Sequence, residues 1–115
     1  STIKGNEGLV DMATVSGSNV KRLVVACEAG MGSSVMMEKM LAKQLKQQEV
    51  QVTHQPVNRL ADSHPDVVLC HRGLASRAKQ AVPDTVVIAF DMFIGDPIVA
   101  RLVRAIEQGS DISDD

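Results

Sequence analysis

The chain has 115 residues, with 12 Lys and Arg against 14 Asp and Glu, and a formal net charge of −2 at pH 7. That balance leaves no basic face for nucleic acid, and an aromatic content of 2%, two Phe with neither Trp nor Tyr, leaves no platform for stacked bases. A hydrophobic content of 44% supports a globular core, and at this length a single domain buries about two-thirds of its unfolded-chain surface.

In chain order, residues 1–19 read as a flexible linker, because Gly5, Gly8, Ser16, Gly17 and Ser18 break any sustained periodicity. Residues 20–109 carry alternating strand and helix patterns. KRLVVAC at 21–27 is a short, apolar, β-branched run and predicts a buried strand. Residues 33–48 follow as a helix, with Met37, Met40, Leu41 and Leu45 at helical spacing and Lys39, Lys43, Lys46 and Gln47 on the other face. VQVTH at 50–54 and DVVLC at 66–70 predict the second and third strands. Residues 73–81 form a helix with Leu74, Ala78 and Ala81 on one side, TVVIAF at 85–90 a fourth strand, and 97–108 a helix with Val99, Leu102, Val103 and Ile106 inward. Residues 110–115 read as a disordered acidic tail. The expected fold is α/β: a four-stranded parallel sheet flanked by three helices on both faces, Rossmann-like. No run approaches the roughly 18 apolar residues of a membrane span. No signal-peptide pattern is present. Two cysteines, Cys27 and Cys70, suit a reducing cytosol better than a disulfide scaffold.

In such sheets ligands bind at the carboxyl ends of the strands, which directs attention to Cys27-Glu28-Ala29-Gly30-Met31-Gly32-Ser33-Ser34. Gly30 and Gly32 permit the turns that curl successive N–H groups inward. Ser33 and Ser34 stand where helix N-caps are expected, and the helix start adds partial positive charge. Together they describe a phosphate-sized anion site with Cys27 at its edge. Thiols in such a field lose their proton more readily, so a reachable Cys27 sulfur is expected to act as a nucleophile. The competing reading is a Gly-rich turn beside a buried structural cysteine. Other phosphate motifs fail: no Lys precedes Ser33, as a P-loop requires, and Val35 occupies the position of a third fingerprint glycine.

His71 and Arg72 follow the third strand on the same sheet edge. Either Arg72 steadies phosphoryl oxygens or draws a phosphorylated donor, or the two form an exposed basic pair. His54 and His64 read as polar surface, and Cys70 as a small buried hydrophobe. Met37 is assigned to the core, while Met31 and Met36 are candidates for a soft exposed rim. Neither a cofactor nor a metal is called for, since Cys27, Cys70 and His71 lack paired-ligand spacing.

The stretch Val25-Ala26-Cys27-Glu28-Ala29-Gly30-Met31-Gly32-Ser33-Ser34, together with His71-Arg72-Gly73-Leu74 and Arg77-Ala78, resembles the cytoplasmic IIB domain of the bacterial sugar phosphotransferase system, mannitol-type branch. Glu28 stands where the family pattern has Asp, and Gly73 where it has an acidic residue. The resemblance implies a phosphocysteine at Cys27, held by residues 28–34, with a IIA phosphohistidine as donor. The acceptor it implies is a hexitol held by a membrane IIC domain. It places the domain in the cytoplasm, at the inner face of the membrane if fused behind IIC, which would suit a linker-like start without Met.

Two rivals belong to other classes. A low-molecular-weight tyrosine-phosphatase-like hydrolase also places Cys in a strand-to-helix loop, but it wants an Arg at position 33 and an Asp general acid. Position 33 is Ser, and Asp96 before Pro97 is the pattern of an N-cap with Pro at N1. A non-catalytic phospho-dependent regulatory domain would not need a nucleophilic cysteine.

Overall fold

The computed structural model describes residues 14–27, 32–92 and 95–113, with 32–34 described by backbone only. Four strands form one parallel sheet: β2 (Arg22–Cys27), β3 (Gln51–Pro56), β4 (Val67–His71) and β5 (Val86–Phe90), in the order β3-β2-β4-β5. Strand β1 (Thr14–Ser16) and strand β6 (Asp111–Ser113) form a separate antiparallel pair. The helices are α1 (Gly32–Gln44), α2 (Leu60–Ser63), α3 (Ala75–Ala81) and α4 (Pro97–Gln108).

Alternation along the strands divides the core in two. Leu23, Val25, Val67, Leu69, Val86, Ile88 and Phe90 face Met37, Leu41 and Leu45 of α1 and Val99, Leu102, Val103 and Ile106 of α4. The intervening residues Val24, Ala26, Val68, Cys70 and Val87 face Leu60 of α2 and Leu74, Ala78 and Val82. Both faces are covered, which is why the central strands are apolar throughout. The start of the sheet is pinned by Asp66, whose Oδ2 accepts from the Lys21 and Arg22 amides at 2.8 and 2.9 Å.

Three features depart from the sequence reading. First, a fourth helix, α2, occupies the connection after β3; at four residues it is too short to show a period. Second, Met40 is exposed rather than part of the core. Third, part of the linker and part of the acidic tail are ordered strands, with Thr14 opposite Ser113 and Ser16 opposite Asp111. The physical reason is apolar: Ile112 is buried in the core and Val15 packs against it, burial that offsets the entropy of ordering two chain ends.

Order and connections place a switch point between β2 and β4. From β2 the chain crosses by α1 to β3 on one side, and from β4 it crosses by α3 to β5 on the other. The hydrogen-bonded pairing of β2 with β4 runs from Leu23↔Val67 to Val25↔Leu69 and stops there. Both strands continue, β2 with β3 to Cys27↔Pro56 and β4 with β5 to His71↔Phe90. The sheet therefore parts at its carboxyl end, between Cys27 and His71.

Candidate active site

Cys27 is the last residue of β2. It has the strand parity of Leu23 and Val25, so it lies on the α1/α4 face. Its side chain is 6% exposed, and the thiol donates to the Gln55 carbonyl at 3.6 Å. The sequence led us to expect a reachable sulfur; the structure has it covered and turned toward β3. The reason is that β3 runs two residues further than its pattern predicts, to Pro56, which brings the Gln55 carbonyl alongside.

Glu28, Ala29, Gly30 and Met31 of the expected phosphoryl-binding loop lie outside the described residues. Gly32, Ser33 and Ser34 are the first three residues of α1. Ser33 and Ser34 thus fall in the first turn rather than at the cap before it. The amides of a helix's first turn have no intrahelical acceptor, a setting that suits an anion.

His71 ends β4. By parity with Val67 and Leu69 it shares the face of Cys27, and two steps beyond the Val25↔Leu69 pair it stands level with it across the parting. Its ring meets Phe90 edge-on, with centroids 5.9 Å apart and an interplanar angle of 85°. Its Nδ1 accepts from the Gly73 amide at 3.2 Å. Arg72 begins the turn that follows, and its Nε donates to Asp91 Oδ1 at 2.8 Å in an exposed ion pair.

Asp91 and Asp96 were not singled out as partners from sequence, because what joins them is the turn after β5 rather than any spacing. Asp96 Oδ1 accepts from the Ile98 amide at 3.0 Å, capping α4. Its Oδ2 accepts from the amides of Asp91 and Met92 at 2.7 and 3.0 Å. These backbone bonds, that of Ile98 foremost, hold its carboxyl below the usual range. A carboxylate so committed is a poor proton donor, which removes the general acid a phosphatase would need. His54, expected as plain polar surface, pairs through Nδ1 with Glu38 on α1. Cys70 is wholly buried, as expected. Met36 is 63% exposed and Met37 is buried. Among the described residues no three His, Cys, Asp or Glu side chains gather as a metal site.

A doubly wound parallel sheet with a cysteine at its switch point, leading into the first turn of a helix, defines a class of domain that handles small anions at its strand ends. The comparisons make this specific. The chain belongs to the IIB family of the phosphotransferase system: the model described as "PTS system, Lactose/Cellobiose specific IIB subunit" matches residues 22–104. It is 32% identical over 100 residues to the PTS system mannitol-specific EIICB component of Bacillus subtilis, covering 85% of this chain and 21% of that protein. It is 38% identical over 96 residues to the PTS system mannitol-specific EIICBA component of Vibrio cholerae, covering 82% of this chain and 14% of that protein. The chain thus spans a small fraction of either relative's length.

Proposed function

We propose that this chain is a phosphoryl carrier whose Cys27 takes a phosphoryl group from the phosphohistidine of a IIA domain and passes it to a sugar, mannitol or a related hexitol, held by a membrane IIC domain. The observation that carries the reading is the place of Cys27 in a IIB-family chain: at the carboxyl end of β2, beside the parting of β2 from β4. Relatives named as mannitol-specific EIICB and EIICBA components support both the sugar and the partners. Among the described residues no helix is long and apolar enough to cross a membrane. In this reading, which the EIICB and EIICBA relatives support, IIC supplies the membrane passage and this domain works at its cytoplasmic face.

The resting thiol is occupied with the Gln55 carbonyl, so the first event is a turn of the Cys27 side chain away from β3. Sulfur then attacks phosphorus in line. The S–P bond forms, the P–N bond to the donor imidazole breaks, its electron pair returns to nitrogen, and the proton lost by the thiol balances the one gained by the imidazole. The phosphoryl rests among residues 28–34, with the first-turn amides of α1 and the hydroxyls of Ser33 and Ser34 as donors. In the second step a sugar hydroxyl forms the O–P bond as S–P breaks, the pair returns to sulfur, and the proton lost by the hydroxyl restores the Cys27 thiol. Phosphoryl transfer depends mainly on positioning and charge stabilisation. Serine in place of arginine at position 33 and the commitment of Asp96 as a cap fit a carrier that preserves its thiophosphate instead of hydrolysing it. Met36 offers soft apolar contact to both partners.

The test is incubation with a phosphorylated IIA domain followed by peptide mapping. One alkali-sensitive phosphate on Cys27 is expected, and Cys27→Ser should acquire none, since a hydroxyl without an adjacent base is a weak nucleophile. Phosphate on another residue, or rapid turnover of an aryl phosphate with no sugar present, would refute the reading.

A further inference from the structure

We infer that the outer side of helices α1 and α4 is a docking surface for the anionic headgroups of a lipid bilayer. The inference rests on the reading above for where the bilayer lies, since there the domain works beside the membrane that IIC spans. Both helices cover the same face of the sheet, so their outward sides form one layer. The exposed residues of α1 include Lys39, Met40, Lys43 and Gln44, and those of α4 include Pro97, Ala100, Arg101 and Arg104, spaced by three and four as one side of a helix requires. Between the helices runs a groove of about 210 Å³ lined by Met40, Gln44, Pro97, Val99 and Ala100, with Gly95 and Asp96 where α4 begins. The Asp96 carboxylate is already committed to three backbone amides.

Charge decides what covers this side. Residues 32–48 and 97–108 carry five basic side chains, Lys39, Lys43, Lys46, Arg101 and Arg104, against Glu38 and Glu107, a net +3 in a chain whose total is −2. All five are exposed. Among the described residues none of the five is in an ion pair, whereas Glu38 is paired with His54. Asp111, which shares a cavity with Arg101, marks the edge of the basic area. Positive charges spread over two helices call for many negative groups at once and for no single fixed geometry. A headgroup layer supplies them, each basic residue near it raising the partition about fivefold. The seam suits the same surface: the flexible Met40 and the stems of Lys39 and Lys43 lie against headgroups without needing a shaped partner. No aromatic side chain stands on either stripe, so the contact stays at the headgroups. Both helices begin at the carboxyl end of the strands. A domain resting on this side therefore holds the end that carries Cys27 along the membrane plane, clear of the lipid and open to donor and acceptor.

The experiment is sedimentation of the whole chain with vesicles at low salt. Vesicles of phosphatidylcholine containing about one-third phosphatidylglycerol should carry the protein down, vesicles of phosphatidylcholine alone should not, and added salt should release it. Lys43→Glu with Arg104→Glu should lower the partition about fivefold or more for each reversed charge. Arg59→Glu with Arg77→Glu makes the same change in net charge beside α2 and on α3, over the opposite face of the sheet, and should leave binding within about twofold of wild type. Both pairs should take up phosphate from a soluble IIA donor at the wild-type rate. Equal binding to the two kinds of vesicle, or equal loss in both pairs of variants, would overturn the inference. So would a wild type that binds no vesicles while Lys43→Glu with Arg104→Glu raises the KM for the IIA donor, which would give this side to an acidic protein. Sedimentation needs no phosphoryl donor, so its failure is read separately from a failure of Cys27 to gain phosphate, which would overturn the functional reading.

Discussion

The two cysteines, both buried, lie on opposite faces of the sheet. Cys70 lies one step beyond the end of the β2–β4 pairing, opposite Ala26, and points into the α2/α3 face, whereas Cys27 has the other parity. Side chains on opposite faces of a sheet cannot be bridged by a disulfide. Burial pushes the Cys70 thiol up to about 11 from 9.0, with Arg72 pulling weakly the other way. A raised value in the folded state means stability that is complete below the unfolded value and is lost as pH rises through the folded one. Urea unfolding at stepped pH should therefore show a loss on the order of 2 to 3 kcal/mol between pH 9 and 11, and Cys70→Ala should remove that part of the pH dependence. At this scale the sequence announced identities and not partners. The place of Cys27 at the end of β2 was legible because a strand pattern ended on it and glycines followed. The covering of its sulfur by the Gln55 carbonyl, the Gly73 bond that sets the His71 ring and the pairing of Arg72 with Asp91 depend on where turns bring backbone atoms, which no spacing encodes.

Elements were legible in proportion to their length and periodicity. Helix α4 spans Pro97–Gln108, the expected range, because its four inward residues keep a strict period and its ends carry an Asp-Pro start and a glycine stop. That stop, Gly109, takes φ 73° and closes the helix with a bond to the Ala105 carbonyl. Strand β3 is an edge strand whose half-buried pattern blurs where it ends. Strands β1 and β6, three residues each, offered no pattern, and the decisive residue beside them is Gly17. Its amide donates to the Ser110 carbonyl at 2.8 Å, and a Cβ there would lie 2.1 Å from the Ala105 carbonyl oxygen and 2.9 Å from that of Ser110. The obstruction is backbone on both sides, so the neighbours cannot turn aside. Gly17→Ala should cost about 2 kcal/mol or more in chemical denaturation and accelerate amide exchange across residues 14–16 and 111–113 before the parallel sheet is affected.

Taken whole, the described residues form a parallel sheet with both faces covered, and the β1–β6 pair packs beside β5 and α4. Strand β6 lies against β5 and α4, with Ile112 reaching the core that also holds Ile88, Leu102 and Ile106. Ile112→Ala should destabilise the domain by about 2 kcal/mol, near the low end for a buried isoleucine because the site is at the margin of the core. The check is thermal unfolding, with the phosphorylation proposed for Cys27 unchanged in rate at temperatures where the variant is folded. The parallel architecture and the strand order that sets the switch point are properties of this level; the alternation of patterns revealed the first, and only the coordinates revealed the second.

The β1–β6 pair has a mechanical consequence. Because Thr14 sits opposite Ser113, these two residues lie side by side at one end of the ribbon. A pull applied at Thr14 and Ser113 would unzip the ribbon rung by rung, parting these two first, and the load would be spent there before it reached the strand that carries Cys27.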